Sequence, residues 1–452
     1  MRTENEKTSI NFQKQIPILG EFDVIVCGGG PAGVGAAIAS ARNGAKTLIV
    51  ESSNCLGGTW TNRVMTQYII DLGMNGGIYK ELRDRMEKSG GLHVETFVFS
   101  LGDKPGTPEQ TTNFDPETAK YVAQLMVEES GADILFHSFV ESTRCEGAAV
   151  GGIVVAGKGG LGLLRAKVVI DATGDGDAAA SAGAPFEKGR KQDGRMQGIT
   201  LRSRIGGVNN LPDTNWKKIN AILEEERKKG VVNMPWYTTR WLDAGGEGVH
   251  GERTFNLDMV TEIDATDRFQ LTKAEIEGRK RVWEMLSFVR RHVPGWKNAY
   301  LIQTGSYIGV RETRRIIGEY VLTKADVLAG RKFADGICRA AHTIDLHDPA
   351  NAEESTFDLE KYVRTHSCPK GDWYEIPYRC LIPKGVEGLL AAGRCISSDR
   401  EANGSLRMSG TCMNLGQAAG TAAAMAIREN LKPSQINGAN VRELLIKSGA
   451  DL

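Results

Sequence analysis

A strand, a glycine loop and a helix follow one another without interruption in the first fifty residues, and this run constrains the fold most strongly. Residues 22–27 are apolar and β-branched, which is typical of a buried strand. Three glycines follow in the spacing Gly-x-Gly-x-x-Gly, and the alanine-rich residues 34–43 predict a helix that ends at Gly44. Residues 47–51 predict the next strand. The pattern therefore predicts the first β-α-β unit of a doubly wound parallel sheet.

The glycine loop predicts a site for phosphate groups. Gly28 allows the tight turn, Gly30 lets the backbone approach a pyrophosphate, and Gly33 lets the helix pack close to the strand. The alternative is a glycine-rich turn between strand and helix that binds no ligand. The residues expected at the pyrophosphate are Gly28, Gly30, Pro31, Ala32 and Gly33.

The residues after the second strand distinguish between dinucleotides. Glu51 ends that strand, is followed by Ser52, and is placed to accept hydrogen bonds from the ribose hydroxyls of an adenosine. A second glycine pair, Gly57 and Gly58, comes directly afterwards with Thr59 and suits an extended ligand that continues past the adenosine. The complete strand–loop–helix unit occurs once, so no dedicated NAD(P)H domain is predicted. These features favour FAD.

Length, charge and cysteine usage limit the architecture and the classes of partner. A chain of 452 residues exceeds one compact core, and 56 basic residues against 56 acidic ones give no electrostatic case for nucleic acid or an anionic membrane. Eight cysteines without a Cys-x-x-Cys pair predict no disulfide framework, no iron–sulfur cluster and no metal site. No window approaches the ~20 apolar residues of a membrane span, and residues 1–21 lack the apolar core of a secretory signal. The sequence predicts a reduced, cytoplasmic enzyme.

The β-α-β rhythm is lost in the middle of the chain and returns near its end. Residues 15–188 predict the first part of an FAD-binding domain, 189–378 an inserted substrate or cap domain, and 379–432 the return segment. The strongest helical periodicity of the insertion covers residues 272–293. The predicted fold class is α/β, with a discontinuous Rossmann-like FAD-binding domain of the glutathione-reductase type and an inserted α+β substrate domain.

Several motifs spread over nearly the whole chain carry a family resemblance. They are residues 23–33, 56–59, 171–177, 309–315, 344–348, 390–394 and 416–420. With these motifs the chain resembles the FAD-dependent oxidoreductases whose flavoprotein fold is shared with fumarate reductase and succinate dehydrogenase. The combination of Gly-Val-Arg-Glu-Thr-Arg with Asp-x-His-Asp is the specific part, because the first and last motifs are common to many flavoproteins.

The resemblance implies further cofactor and substrate contacts. Thr173, Gly174 and Asp175 are expected near the pyrophosphate and adenine side of FAD, and Arg407 is expected to grip a substrate carboxylate. The residues expected to meet the isoalloxazine are Gly410, Thr411, Cys412 and Met413. A helix that begins near Met413 would point its N-terminus at the flavin N1/C2 carbonyl, where negative charge accumulates on reduction. Gly416 and Gly420 either contact the ligand or allow close helix packing.

Two departures from related flavoproteins affect the cofactor. An acidic residue commonly follows the glycine that corresponds to Gly393 and holds the ribitol, whereas this chain has Arg394. The ribitol contact is therefore expected from elsewhere or from the backbone. Residues 56–63 contain no histidine where relatives attach flavin covalently, so FAD is expected to be non-covalent rather than linked through Cys55.

Candidates for proton transfer lie in one short segment. His342, Asp345, His347 and Asp348 are close in sequence, and in an extended chain Asp345 and His347 share a face. A histidine held by a carboxylate is a suitable general base, which makes His342 and His347 candidates for catalysis. The alternative is a polar strand end without chemistry.

Arg311 is a second candidate for holding the substrate. Guanidinium groups bind carboxylates bidentately or, as in fumarate reductase, deliver a proton. The alternative pairs Arg311, Arg314 and Arg315 with Glu312 and Glu319 on one surface helix.

The residues together predict an FAD-dependent dehydrogenase or reductase that transfers a hydride between a small organic substrate and flavin N5. A flavin monooxygenase and a flavin-carrying electron-transfer subunit are the alternatives. The electron donor or acceptor, the direction of the reaction and a homo-oligomeric state stay open.

Overall fold

The computed structural model describes residues 11–69, 76–98, 108–209, 215–233, 249–255, 259–347 and 359–452. Its helices there are α1 (Pro31–Arg42), α2 (Gly77–Lys88), α3 (Pro116–Ser130), α4 (Asp177–Ser181), α5 (Trp216–Lys228), α6 (Arg268–His292), α7 (Lys324–Leu328), α8 (Leu359–His366), α9 (Arg400–Leu406), α10 (Ser409–Glu429) and α11 (Gly438–Lys447). Its strands there are β1 (Ile18–Cys27), β2 (Thr47–Val50), β3 (Gln67–Ile69), β4 (Leu92–Val98), β5 (Pro108–Phe114), β6 (Asp133–Leu135), β7 (Phe139–Glu146), β8 (Ala149–Gly157), β9 (Gly160–Asp171), β10 (Phe186–Lys188), β11 (Ser203–Gly206), β12 (Arg253–Phe255), β13 (Tyr300–Thr304), β14 (Arg314–Ile316), β15 (Gly336–Ala340), β16 (Tyr374–Pro377) and β17 (Leu389–Ala391).

A seven-stranded sheet carries the glycine loop. Its strand order is β6-β2-β1-β9-β8-β7, and β17 also pairs with β9. The pairs β6–β2, β2–β1, β1–β9 and β9–β17 are parallel, whereas β9–β8 and β8–β7 are antiparallel. Residues 24–27 of β1 are fully buried because a parallel sheet is covered on both faces. The predicted α/β class with a Rossmann-like parallel sheet is confirmed.

The first segment of the chain and its return segment meet in this sheet and in the helices α1 and α10. β17 pairs with residues 169–171 at the carboxyl end of β9, next to the end of β1. A Cβ atom on Gly416 would lie 1.9 Å from the Ala32 carbonyl oxygen, and one on Gly420 would lie 2.2 Å from the Ala36 carbonyl oxygen. Both glycines therefore let α10 pack directly against α1, which explains them without a ligand contact.

A second group of elements packs around its own buried side chains. It includes the sheet β12-β11-β13 with α5 and α6, and its two apolar clusters take their buried members from residues 199–308. Buried residues from 316–382 belong instead to the large core around the seven-stranded sheet. The helix expected over residues 272–293 is present as α6. The proposed domain boundaries at 189 and 378 stay predictions.

Candidate active site

The glycine loop leaves an open cradle at the start of α1. Gly28 has φ +100°, and a Cβ atom on it would lie 2.7 Å from the Ala172 carbonyl oxygen. A Cβ atom on Gly33 would lie 1.8 Å from the Gly28 carbonyl oxygen, whereas one on Gly30 would meet no atom of the described residues within 4 Å. Gly28 and Gly33 are thus required by the fold. Gly30 faces open space at the N-terminus of a helix, where backbone N–H groups and the helix dipole favour an anion.

The acidic residue and the second glycine pair lie against this loop. Buried Glu51 accepts hydrogen bonds from the backbone N–H of Gly29 at 2.6 Å and from that of Ser53 at 2.7 Å. Ser52 Oγ donates to the same carboxylate at 3.2 Å. The Gly57 N–H donates to the Gly29 carbonyl oxygen at 2.8 Å. These bonds fix the Glu51 carboxylate beside the loop, where it retains lone pairs for ribose hydroxyls.

The segment Cys55–Thr61 and the glycine loop also touch through glycine. A Cβ atom on Gly58 would lie 2.8 Å from the Gly30 Cα atom, so only glycine permits this approach. Thr59 follows at this point. Cys55 Sγ, the group weighed for a covalent flavin link, lies 3.3 Å from Asn62 Oδ1 and is buried.

Asp175 and Arg394 form an ion pair near the glycine loop. We refer to the region from the glycine loop and Glu51 to this pair as the cofactor groove. Arg394 Nη2 donates to Asp175 Oδ1 at 2.5 Å, and Thr313 Oγ1 donates to the same oxygen at 2.6 Å. Burial disfavours the charged form of Asp175, but Arg394 and Arg63 outweigh it and lower the pKa of this carboxyl. A Cβ atom on Gly174 would lie 3.2 Å from Arg394 Nη2. Arg394, which replaces the usual acid, thus brings a carboxylate from the neighbouring segment with it.

Thr173 supports this turn from below. Its hydroxyl donates to Asp171 Oδ1 at 2.7 Å, and its Oγ1 accepts the Asp177 N–H at 3.0 Å. Asp171 is fully buried at the carboxyl end of β9 and also accepts the Ala179 N–H at 2.7 Å. These bonds hold the Asp175 turn at the edge of the sheet where β1 and β9 end.

Arg63 belongs to this groove and was missed by the sequence analysis. Its charge interacts with Asp175, Arg394 and Glu51. Burial and Arg394 lower the pKa of its guanidinium against the opposing effect of Asp175. Within the described ranges its side chain has no hydrogen bond and no ion pair. The only signal in the sequence is an arginine five residues after the second glycine pair.

The start of α10 closes the groove on its other side. Gly393 has φ +82°, and a Cβ atom on it would lie 2.8 Å from the Ala32 Cβ and 3.8 Å from Cys412 Sγ. The glycine loop, the return segment and α10 therefore meet at one point. α10 begins at Ser409, one turn earlier than expected, so residues 410–413 form its first turns. Burial raises the pKa of Cys412 to about 12, so its thiol stays protonated.

Asp345 joins two of the predicted substrate-side residues. Arg407 Nη2 donates to its Oδ2 at 2.9 Å, and His347 Nε2 lies 2.9 Å from the same oxygen. Although burial opposes its ionisation, His347 and Arg407 hold the pKa of Asp345 well below its usual range. Because an ionised carboxylate only accepts, Nε2 of His347 carries a proton. Burial, together with Arg311 and Arg407, lowers the pKa of His347 despite Asp345, so the imidazole is neutral at pH 7.

Arg311 is connected to His347 through residues 198–200. Its Nη1 donates to the Gly198 carbonyl oxygen at 2.7 Å and to Thr200 Oγ1 at 2.8 Å. The Gly198 N–H donates to the His347 carbonyl oxygen at 3.3 Å. His342 is less directly involved: its Nδ1 lies 2.7 Å from the Thr343 carbonyl oxygen, and it acts on Asp345 through charge. Asp348 lies outside the described residues.

The arginines around Arg311 form no surface helix, so that alternative was wrong. Arg314 and Arg315 lie in β14. Buried Glu312 accepts from Arg315 at 2.6 Å and from Arg400 at 3.0 Å, and it also accepts the Gln197 N–H at 3.2 Å. This buried network fixes the strand beside Arg311.

Asp345, His347 and Arg407, called the Asp345 group below, lie next to the cofactor groove. Arg407 is the C-cap of α9, and the next residue, Met408, is the N-cap of α10. Asn403 Nδ2 donates to the Arg394 carbonyl oxygen at 2.7 Å. The charge of Arg394 also acts on Arg407. The guanidinium of Arg407 and, through Asp345, the imidazole of His347 thus lie near the N-terminus of α10.

A metal site and a membrane-spanning helix are both absent from the described residues. They contain no group of three His, Cys, Asp or Glu side chains that could hold a metal ion. No helix among them combines the length and the apolar character needed to cross a membrane.

Known proteins match parts of this chain. A stretch of 51 residues, 11% of this chain, is 49% identical to dihydrolipoyl dehydrogenase of Trypanosoma brucei brucei and covers 11% of that protein. Another 165 residues, 34% of this chain, are 30% identical to thiamine thiazole synthase of Methanococcus vannielii and cover 56% of it. The chain thus spans about a tenth and about half of these curated relatives. The solved structure of p-nitrophenol 4-monooxygenase from Pseudomonas putida DLL-E4 superposes with a TM-score of 0.49 at 12% identity, over 95% of this chain and 87% of that one.

A family pattern covers far more of the chain. Residues 23–445 match the family described as FAD dependent oxidoreductase. The match spans the glycine loop, the Asp345 group and α10. The chain is therefore an oxidoreductase whose cofactor is FAD, and it belongs to the FAD-dependent oxidoreductase family.

Proposed function

We propose that this enzyme oxidises or reduces a small organic substrate by hydride transfer between a substrate carbon and N5 of FAD. The observation that carries the proposal is the Asp345 carboxylate, which holds both Arg407 and His347 at 2.9 Å beside the first turn of α10. The fold relation to fumarate reductase and the division into domains at 189 and 378 are parts of the same proposal.

The groove would hold FAD along its length. The open position at Gly30 and the N-terminus of α1 suit the pyrophosphate, and Glu51 suits the adenosine ribose. Arg63 offers a guanidinium for the pyrophosphate from the opposite wall, and Asp175 offers its remaining lone pairs to the ribitol. The N-terminus of α10 suits the isoalloxazine. The remaining predicted contacts are Gly28, Pro31, Ala32, Gly33, Ser52, Gly57, Gly58, Thr59, Thr173, Gly174, Gly393, Arg394, Gly410, Thr411, Cys412 and Met413.

FAD, when bound, supplies the two-electron redox chemistry at N5, so the protein has to place the substrate and move one proton. His347 is neutral at pH 7 and suits the proton step. Asp345 fixes the orientation of its ring and stabilises its charged form once it accepts a proton. Arg407 and Arg311 would orient the substrate, and His342 is the second candidate for the proton.

The FAD half of the proposal is tested by the visible spectrum of the purified protein, and the substrate half by reoxidation of the photoreduced enzyme with a panel of small metabolites under anaerobic conditions. We expect His347→Asn to slow the reoxidation about a hundredfold while FAD stays bound. The matched control is His137→Asn, at an exposed site with φ 53°, where asparagine fits well.

Other outcomes assign the enzyme to another class. Rapid reaction of the reduced enzyme with oxygen and a product that gains an oxygen atom would establish a monooxygenase instead. Reoxidation by a redox protein and by no small molecule would establish an electron-transfer subunit. A colourless protein that takes up no FAD would contradict the proposal as a whole.

A further inference from the structure

Among the described residues, Arg202 has no counterion, and it lies at the substrate side of the site. It directly precedes β11, and its carbonyl oxygen accepts the Gly305 N–H at 3.0 Å. Two residues earlier, Thr200 pairs with Gly309 and holds Arg311 through its hydroxyl. In extended chain, residues two apart share a face, so Arg202 follows Thr200 on the face that Arg311 contacts.

Arg204 lies in β11, two residues after Arg202, and shows how a guanidinium with a structural role is neutralised in this fold. Arg204 is buried, and its Nη2 lies 2.6 Å from Glu252 Oε1 and 3.5 Å from Asp115 Oδ1. Arg202, by contrast, has neither an ion pair nor a side-chain hydrogen bond within the part of the chain that the structure describes. The two residues differ in partner although only one residue separates them in the chain.

The surroundings of Arg202 repel its charge. Burial first, and then the like charges of Arg311 and Arg407, lower the pKa of Arg202 to about 9. No carboxylate of the described residues offsets these effects. A guanidinium that is partly withdrawn from water and placed beside other cations costs folding free energy, and fold stability alone gives no reason to keep it there.

We infer that Arg202 binds the carboxylate of an anionic substrate, with Thr200 and Arg311 beside it. This inference rests on the proposed function and narrows the substrate class to small organic acids. The planar guanidinium matches a carboxylate in two parallel hydrogen bonds, so it also fixes the orientation of the substrate. Arg407 is already paired with Asp345 and is the weaker candidate for the principal carboxylate contact.

FAD itself is a poor explanation for this charge. Among the described residues, Arg63 has no hydrogen-bond or ion-pair partner either, and its charge interacts with Asp175 and Glu51 of the cofactor groove. Arg202 instead senses Arg311 and Arg407, the residues around Asp345. The two arginines therefore point to two anions, the pyrophosphate for Arg63 and a substrate carboxylate for Arg202.

The test measures the melting temperature of the FAD-loaded enzyme with acetate and with acetamide, its neutral counterpart, at constant ionic strength. We expect acetate to raise the melting temperature of the wild type more than acetamide, because a ligand that binds the folded state stabilises it. Arg202→Met should lose this difference and weaken acetate binding about tenfold or more. Without acetate, the variant should melt at or above the wild-type temperature, since an uncompensated charge is removed.

Arg195→Gln is the matched control, because Arg195 is exposed and pairs with Asp193 and Glu262 on the surface. It should keep the acetate response, and Arg202→Lys should keep part of it. Equal effects of acetate and acetamide on the wild type, an unchanged response in Arg202→Met, or a clearly lower melting temperature of the anion-free variant would each overturn the inference. The flavin spectrum is read separately: a wild type without FAD contradicts the proposed function, whereas normal FAD content with an absent acetate response contradicts the role of Arg202 alone.

Discussion

Asp345 accepts a hydrogen bond from Arg407 at 2.9 Å through the same carboxylate oxygen that faces His347 Nε2. One carboxylate oxygen therefore couples an arginine just before α10 to an imidazole on a different segment. His347 and Arg407 keep the carboxylate ionised, whereas the imidazole is neutral at pH 7 because burial lowers its pKa despite Asp345.

Replacing Asp345 with asparagine should separate these two effects. Asp345→Asn removes the charge that raises the pKa of His347, so burial, Arg311 and Arg407 then lower that pKa further. We expect turnover to fall about a hundredfold, and the acidic limb of the pH–rate profile to move to lower pH. The measurement is the pH dependence of kcat/KM. Asp193→Asn, at an exposed pair with Arg190, should leave the profile unmoved, and an unshifted limb in Asp345→Asn would rule out the coupling.

Replacing Arg63 should act on the cofactor alone. Arg63→Gln removes a guanidinium from the proposed pyrophosphate wall, and we expect FAD to bind about tenfold more weakly because a charge-assisted contact is lost. The dissociation constant of FAD, measured by titration of the apoenzyme, gives the answer. Arg42→Gln breaks the partly exposed pair with Glu81 and should leave FAD affinity unchanged. An equal affinity of Arg63→Gln and wild type would remove Arg63 from the groove.

The contact between α1 and α10 predicts a purely structural defect. In Gly416→Ala the new methyl group would lie 1.9 Å from the Ala32 carbonyl oxygen, so the two helices must move apart. We expect a loss of about 1–3 kcal/mol in the free energy of unfolding. Chemical denaturation measures it. Gly159→Ala has no neighbour within 4 Å among the described residues and an ordinary φ, so it should be neutral or slightly stabilising.

The raised pKa of Asp177 predicts that the stability of the fold depends on pH. Burial, Asp175 and Asp171 raise the pKa of Asp177 to about 6, against the pull of Arg314. A group whose folded-state pKa exceeds its unfolded value stabilises the fold below the unfolded pKa of 3.8 and loses this contribution as pH rises through about 6. Melting curves of Asp177→Asn should therefore gain on the wild type between about pH 4 and pH 6. The gain is small because the side chain is 38% exposed. A difference that stays constant over this range would contradict the shift.

The first half of the cofactor groove could be predicted because its determinants are local. The spacing of Gly28, Gly30 and Gly33 between a buried strand and a helix allows few conformations, and Glu51 follows from the end of the next strand. The return of the chain to the sheet was also visible, as a short apolar run before Gly393. The start of α10 was placed a turn too late because residues 409–412 are weak helix formers that tertiary packing holds in the helix.

The substrate side could be predicted only in part. The short separation of Asp345 and His347 suggested their contact, but the pairing of Asp345 with Arg407 spans 62 residues. The pairing of Arg394 with Asp175 spans 219 residues, and that of Glu312 with Arg400 spans 88. Arg63 and Arg202 carried no motif at all, because their distinguishing property is the absence of a counterion in the described part of the fold.

The sequence alone therefore indicated the α/β fold class, FAD as the cofactor and the candidate side chains for proton transfer, since strand–loop–helix chemistry and residue spacing act over short stretches of chain. Only the tertiary structure decided which arginines have a carboxylate partner among the described residues. The energy of a buried charge depends on its neighbours in space, and these neighbours come from segments that the sequence keeps far apart.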